Sequence, residues 1–348
     1  MKVDDLKSFL SRYHIRPDKR LGQNFLLSDE VLDEITAAAD LTLQDTVLEI
    51  GPGLGFLTRR IAELSGEVVA VEKDRKLCRA LHKIFKNRKN VRIICGDALH
   101  LTEELTNVRT KEQDRKFIGS SVHPFSGSYK VVANIPYYLT GKILQLFLGG
   151  NLKVSATTSQ KNVAEAFRPP SLMVLLLQKE VAQRIVAKPG DMSILSVSVQ
   201  FYADPEIIAI VPKENFYPKP EVDSAIVRIT PLSSPLAKGG KRGVRFDVDE
   251  GKFFQLVKIG FSNKRKQLQN NLVALPPLSF SGLTRESSSR LARTGLWIPD
   301  RVGNDRKTDY KTLLSSLGLN PLCRAQDLSL QDWARLYQKI FPSLDGRG

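Results

Sequence analysis

Asn134-Ile135-Pro136-Tyr137 follows Val131-Val132-Ala133, and this succession of residue types suits chemistry on an amine. Two β-branched residues and an alanine read as a buried strand. Proline fixes its own φ and pushes the residue before it toward an extended conformation, so the loop that ends the strand is stiff. It holds an amide side chain, backbone carbonyls and an aromatic ring at one strand edge. Carbonyl-type acceptors can hold the N–H groups of an exocyclic amine while a ring stacks on the face of the base.

A second set lies upstream. Residues 46–50 (Thr-Val-Leu-Glu-Ile) read as a buried strand, Gly51-Pro52-Gly53-Leu54-Gly55 as a turn, and 56–64 as a helix. Glycines at Gly51 and Gly53 let backbone approach a ligand where a Cβ would collide. The spacing departs from the dinucleotide fingerprint: counting from Gly53, Thr58 stands where the third glycine belongs. A strand over 67–71 ends at Glu72, 21 positions after Gly51, where an acid can accept hydrogen bonds from both ribose hydroxyls. A strand over 91–95 runs into Gly96-Asp97, placed to meet an adenine amino group. A glycine turn alone is weak. The same turn with acids at the next two strand ends, followed by Asn134 to Tyr137, fits S-adenosylmethionine better than a nicotinamide dinucleotide.

The motifs together carry a family resemblance. Leu21-Gly22-Gln23-Asn24-Phe25-Leu26, Glu49 to Gly55, Glu72, Gly96-Asp97-Ala98, Asn134 to Tyr137 and Phe216-Tyr-Pro-Lys-Pro-Glu-Val-Asp-Ser224 occur in one order. The chain resembles the ribosomal RNA adenine N6-dimethyltransferases, and within them the enzymes of 16S RNA. The resemblance covers about residues 12–230 and resumes around 250–272. It implies an α/β fold, a Rossmann-like S-adenosylmethionine-dependent methyltransferase sheet with a small C-terminal helical domain. It implies dimethylation of two adjacent adenines near the 16S rRNA 3′ end in the small ribosomal subunit, with S-adenosylhomocysteine as product. Gln23, Asn24, Leu26, Gly51, Gly53, Glu72, Asp97 and Asn134 are then expected to hold the cofactor. Asn134, Pro136, Tyr137 and Phe216 are expected at the target base, with the Phe216 and Tyr137 rings on either side of it. Taken alone, Gln23 and Asn24 read first as caps or ties of a turn before the helix near Ser28, and Phe216 reads also as plain core. Tyr138 receives no catalytic role.

The elements that must position these residues alternate. Strands and helices succeed each other from Thr46 to about Arg228, with helices expected over 56–64, 74–85, 140–148 and 179–187. Such alternation implies a parallel sheet covered by helices, with ligands at the C-terminal strand ends. Residues 193–202 and 224–229 are expected to close the sheet as an antiparallel pair. A catalytic domain over 1–245 and a helical RNA-binding domain over 246–348 follow from the change in character near Asp247. There Phe253, Phe254, Val257 and Phe261 recur at helical spacing as a core stripe. Lys264-Arg265-Lys266 follow at an expected helix start, and beside a base-modifying domain they read as phosphate contacts. Four polar or Pro/Gly-rich stretches, 106–128, 149–170, 233–243 and 275–306, read as insertions.

Composition suits the implied partner. There are 52 Lys and Arg against 37 Asp and Glu, a net charge of +15, which favours polyanions through counterion release. The longest apolar run, 172–177, cannot span a membrane, and the first residues lack an apolar signal core. Three scattered cysteines argue for a reducing cytoplasm and against a disulfide frame, with Cys95 a small core residue. No metal site is expected, because the four histidines show no ligand spacing with the cysteines. The protein is expected to act as a cytoplasmic monomer, away from membranes. Two other readings stay open: a related enzyme of 23S RNA or DNA adenine, which should lack the basic cluster and helical tail, and a non-enzymatic assembly factor that keeps the fold.

Overall fold

Apolar runs bounded by glycine and proline become the strands of one sheet, and the amphipathic runs between them become its covering helices. The computed structural model describes residues 3–13, 15, 17, 22–99, 128–148, 170–232, 248–275 and 309–341. The expected insertions at 106–127, 149–169, 233–243 and 276–306 lie outside them. By contacts the chain forms two units, residues 1–186 with 198–243 and residues 187–197 with 244–348.

In the first unit, helix α1 (Val3–Arg12) and the short strand β1 (Phe25–Leu26) precede α2 (Asp29–Ala38). Ser28 caps α2 by accepting from the Val31 N–H, a bond that contributes about 1 kcal/mol. Then come β2 (Thr46–Ile50), α3 (Phe56–Leu64), β3 (Glu67–Glu72), α4 (Arg75–Ile84) and β4 (Val91–Cys95). They are followed by β5 (Tyr129–Asn134), α5 (Thr140–Leu148), β6 (Leu172–Gln178) and α6 (Lys179–Ile185). The sheet order is β4-β3-β2-β5-β6, all parallel, continued by two antiparallel strands introduced below. Right-handed crossovers place helices on the faces, so β6 is apolar and buried along almost its whole length. Val47, Val68, Val132 and Val174 from the sheet pack with Ile35 of α2 and Ile61 of α3. Each such side chain stabilises by roughly 1.5–3 kcal/mol relative to exposure.

The sheet closes differently from the sequence expectation. Residues 194–202 form helix α7 (Ile194–Tyr202), and the strand is the next segment, β7 (Ala203–Val211). The run Leu195-Ser-Val-Ser-Val-Gln-Phe201 alternates apolar and polar residues, which mimics a strand. A reciprocal serine pair decides the outcome: the Ser196 N–H donates to Ser193 Oγ at 3.2 Å, and the Ser193 N–H donates to Ser196 Oγ at 2.6 Å. After the short β8 (Phe216–Tyr217), β9 (Ser224–Pro231) inserts antiparallel between β6 and β7. β1 and β8 pair with each other, Leu26 opposite Phe216.

The second unit is helical: α8 (Glu250–Gly260), α9 (Leu268–Leu272), α10 (Tyr310–Ser316) and α11 (Leu330–Ile340). Residues 187–197 join it through Gly190 and Met192 N–H groups donated to the Gln326 carbonyl. The expected stripe is buried at Phe253, Val257 and Phe261, with Phe254 half-buried. Trp333 of α11, fully buried, stacks on Phe261 at 5.7 Å and lies over Gly260.

Gly260 yields a prediction in which two effects compete. Alanine in a helix interior gains about 0.5–1 kcal/mol over glycine, and Gly260, the last residue of α8, would draw at most part of that. Here its Cβ would fall 2.3 Å from Trp333 Cη2, inside a core with no room to yield. Overpacking of this kind costs about 1–3 kcal/mol, so Gly260→Ala should lower the stability of the helical unit in urea unfolding followed by the fluorescence of Trp333 in a Trp297→Phe background. An unchanged or higher midpoint would show that the indole moves aside.

Candidate active site

The parallel strands end in register, and the pocket lies across those ends. Ile50 pairs with Val71, and Glu72 with Cys95. Gln23, Asn24, Leu26, Gly51, Gly53, Glu72 and Asp97, expected at a cofactor, all line this pocket. Asn134, Pro136, Tyr137 and Phe216, expected at a base, line it too.

The turn after β2 is built for close approach. Gly53 has φ +60, and a Cβ there would sit 3.3 Å from the Phe25 ring. Its N–H donates to Glu72 Oε2 at 3.1 Å, and the Asp74 N–H donates to Oε1 at 2.8 Å. Both carboxyl oxygens of Glu72 are thus oriented by backbone. Glu72 is buried, and that desolvation pushes its pKa up to about 7. At the neighbouring strand end Asp97 pairs with Lys73 at 2.9 Å and accepts from the Leu99 N–H at 3.0 Å.

The Asn134 loop is clasped from the N-terminal side. Asn134 Nδ2 donates to the Asn24 carbonyl at 3.2 Å, which leaves Oδ1 as the acceptor of that amide. Gly22 approaches Pro136 so closely that a Cβ would lie 3.3 Å from the proline's own Cβ. Gln23 Nε2 donates to Asp74 Oδ2 at 3.1 Å, and Asn24 Nδ2 to the Gly22 carbonyl at 3.4 Å. Tyr137 Oη shares a hydrogen bond with Ser224 Oγ at 3.3 Å, and Tyr138 is exposed. Phe216 is both wall and core: it lines the pocket, and its ring packs in the cluster that contains Leu26 and Leu57.

Three features escaped the sequence. Glu49 on β2 is 1% exposed and lines the pocket, and its Oε2 finds no hydrogen-bond partner among the described residues. Burial, with the nearby Glu72 carboxylate adding to it, pushes its pKa up to about 8. An acid inside an otherwise apolar strand was the available signal. The cysteines correct two expectations: Cys78 and Cys95 are paired as a disulfide, and Cys95 is exposed rather than core. His82 completes a group whose ligand atoms lie within 4.8 Å of one another, although the linear spacing suggested none. The pairing arises because α4 and β4 lie side by side, which counting along the chain does not reveal.

Lys264, Arg265 and Lys266 belong to the second unit and occupy a turn between α8 and α9 instead of a helix start. All three are exposed. The turn is tied from below: buried Asn271 donates through Nδ2 to the Gly260 carbonyl at 2.6 Å and the Asn263 carbonyl at 3.0 Å. No helix among the described residues is long and apolar enough to cross a membrane.

A family model described as ribosomal RNA adenine dimethylase matches residues 16–317. A ribosomal RNA small subunit methyltransferase A from Dehalococcoides mccartyi is 37% identical over 330 residues, covering 95% of this chain and 90% of that protein. The protein of the same name from a Nostoc species is 37% identical over 325 residues, covering 92% and 97%. Among solved structures, a dimethyladenosine transferase from Plasmodium falciparum aligns with a TM-score of 0.59 at 23% identity, covering 90% and 95%. The 23S rRNA methyltransferase ErmE aligns at 0.58 and 20% identity, covering 91% and 99%. At those identities the two structures speak for the fold alone.

The buried acids give a pH prediction. Glu49 has a folded pKa of about 8 against an ordinary 4.5, so the folded state holds its proton more tightly than the unfolded state. Its contribution is complete below about pH 4.5 and is lost as the pH rises through about 8. Glu49→Gln keeps the shape and removes the titration. Urea midpoints between pH 5 and 8.5 should therefore fall less steeply in the variant, by on the order of a few kcal/mol across the window. Parallel curves would mean that Glu49 does not titrate on unfolding.

Proposed function

The chain belongs to the ribosomal RNA adenine dimethylase family, and from that premise we propose how its pocket methylates 16S rRNA. The enzyme transfers methyl groups from S-adenosylmethionine to N6 of two adjacent adenines near the RNA 3′ end. The products are N6,N6-dimethyladenine and S-adenosylhomocysteine. Its substrate is the small ribosomal subunit, on which it acts in the cytoplasm as a monomer and without a metal.

The residues present suit the cofactor. Glu72, oriented by two backbone N–H groups, is placed for ribose hydroxyls. Asp97 stands at the next strand end for the adenine amine. Glu49 lines the same pocket, and burial raises the pKa of its carboxyl against the lowering effect of the Thr58 hydroxyl. Gln23, Asn24 and Leu26 cover the methionine end. S-adenosylmethionine, when bound, supplies an electrophilic methyl on a sulfonium.

The observation that carries the reading is the Asn134 amide. With its N–H donated to Asn24, Oδ1 is left to accept from the adenine N6 amine, together with the carbonyl of Ile135 or Pro136. N6 is a poor nucleophile because its lone pair is delocalised into the ring. Acceptors on its hydrogens favour a more pyramidal nitrogen, and fixing it in line supplies most of the acceleration. No general base is required if the proton leaves after methyl transfer. Tyr137 and Phe216 offer faces on either side of an adenine drawn out of its stack. Lys264, Arg265 and Lys266, exposed in their turn, bind phosphates of the surrounding RNA.

Unmethylated small subunits incubated with tritiated S-adenosylmethionine should be labelled at two neighbouring 16S adenines by the wild type. Asn134→Ala should lose about two orders of magnitude or more in transfer, as removal of one positioned polar group does elsewhere. Its cofactor affinity by calorimetry should fall far less than its turnover, because Glu72 and Asp97 are untouched. Label elsewhere, or near-normal turnover in the variant, would refute the assignment.

Replacing Lys264, Arg265 and Lys266 by alanine should leave folding and cofactor binding intact and weaken small-subunit binding. The dependence of log affinity on log salt should flatten by roughly 0.7–0.9 per lost phosphate contact. Superimposable salt titrations would remove this turn from the RNA site.

A further inference from the structure

Cys78 and His82 lie four positions apart on α4 and so share a face, and Cys95 ends β4 beside them. The Cys78 and Cys95 Cα atoms are 5.7 Å apart, within the span a disulfide requires. Cys78 is 0% exposed, whereas Cys95 and His82 are open to solvent. His82 Nε2 lies 3.8 Å from Cys95 Sγ. The pair also borders the pocket: Leu77, Gly96 and Asp97, the sequence neighbours of the two cysteines, line it. The Gly96 N–H is bonded to the Glu72 carbonyl at 2.9 Å.

We propose that Cys78 and Cys95 are a reversible disulfide pair whose closure pins the end of β4 to α4 and stiffens the Asp97 side of the pocket. One thiol is exposed to meet an oxidant and the other is buried behind it, an arrangement suited to exchange. Cys95 gives its proton to His82 and attacks one sulfur of a small-molecule disulfide. That S–S bond breaks, one small thiolate leaves, and a mixed disulfide forms on Cys95. Cys78, deprotonated as it attacks, then bonds to the Cys95 sulfur and expels the second small thiolate. The protein has lost two electrons and two protons, and the oxidant has gained them as two thiols. A small dithiol reverses both steps. Reversible pairs of this kind are the usual form of disulfide in a reducing compartment. The same three ligand atoms lie close enough to hold a zinc ion with a fourth position open, and the experiment separates that outcome from the disulfide.

The test uses the full-length protein equilibrated in glutathione buffers of graded oxidation, acid-quenched, denatured and alkylated, with labels counted by intact mass. All three cysteines should be labelled under strongly reducing conditions, and only Cys323 under oxidising ones. Cys95→Ser should carry two labels throughout. Three labels at every ratio would overturn the proposal. So would a stoichiometric zinc complex that protects the thiols until a chelator removes the metal. Hydrogen exchange of the Gly96–Leu99 amides should be several-fold slower in the oxidised protein and at the reduced rate in Cys95→Ser; equal rates would overturn the stiffening. Tighter cofactor binding by the oxidised form is a consequence that rests on the S-adenosylmethionine reading. A protein that shows crosslink and protection yet binds no S-adenosylmethionine refutes that reading and leaves the disulfide standing.

Discussion

Parallel strands that end level with one another are the constraint on which the site depends. Because β2, β3, β4 and β5 are hydrogen-bonded in parallel, their C-terminal ends open on one side of the sheet. Each end then contributes a group of different chemistry: Gly51 and Gly53 after β2, Glu72 at the end of β3, Asp97 after β4 and Asn134 at the end of β5. A slip of one residue in β3 would turn Glu72 to the opposite face. Val68 to Val71 are apolar and buried on both faces, so side-chain pattern does not oppose that slip; the bonds from the Gly53 and Asp74 N–H groups to the Glu72 carboxyl hold it in place.

That placement has an energetic cost. Two carboxyl groups, Glu49 and Glu72, are buried close together in the pocket, and desolvation raises both pKa values. For Glu72 the cost is offset by two backbone N–H groups, and for Glu49 by keeping its proton. A hydrogen-bond donor set against either carboxyl would offset part of that desolvation.

Much of this was legible because the pocket is made of local motifs. The glycine turn, the acids one strand later and the Asn134 loop each declare themselves within a few residues, and α/β alternation orders them. What the sequence hid required either tertiary proximity or a competition between patterns. Cys78 and Cys95 are 17 positions apart and meet only because α4 packs beside β4. Residues 194–202 alternate like a strand, and the capping serines at their start outweigh that pattern. The basic cluster was read as a helix start because its neighbours are helical on both sides, whereas Asn271 draws the Gly260 and Asn263 carbonyls together and forces a turn. Phe216 left two readings open, wall or core, and the structure gives it both.

The base-facing side of the pocket is held by interdependence among segments distant in sequence. The Asn134 amide is fixed by the Asn24 carbonyl. Asn24 immediately precedes β1, which is bonded to β8, the strand that carries Phe216. The Leu27 N–H adds a bond to the Asn215 carbonyl at 2.8 Å. Amide acceptor, clasping segment and aromatic wall therefore hold one another in place, and loosening any one frees the others. On the proposed in-line transfer, in which the proton leaves after the methyl arrives, this matters more than any single group. Its rate rests on holding a weak nucleophile in line, and misplacement by about 1 Å can cost two orders of magnitude. On the proposed mechanism the clasp makes residues 22–27 positioning residues for the Asn134 amide.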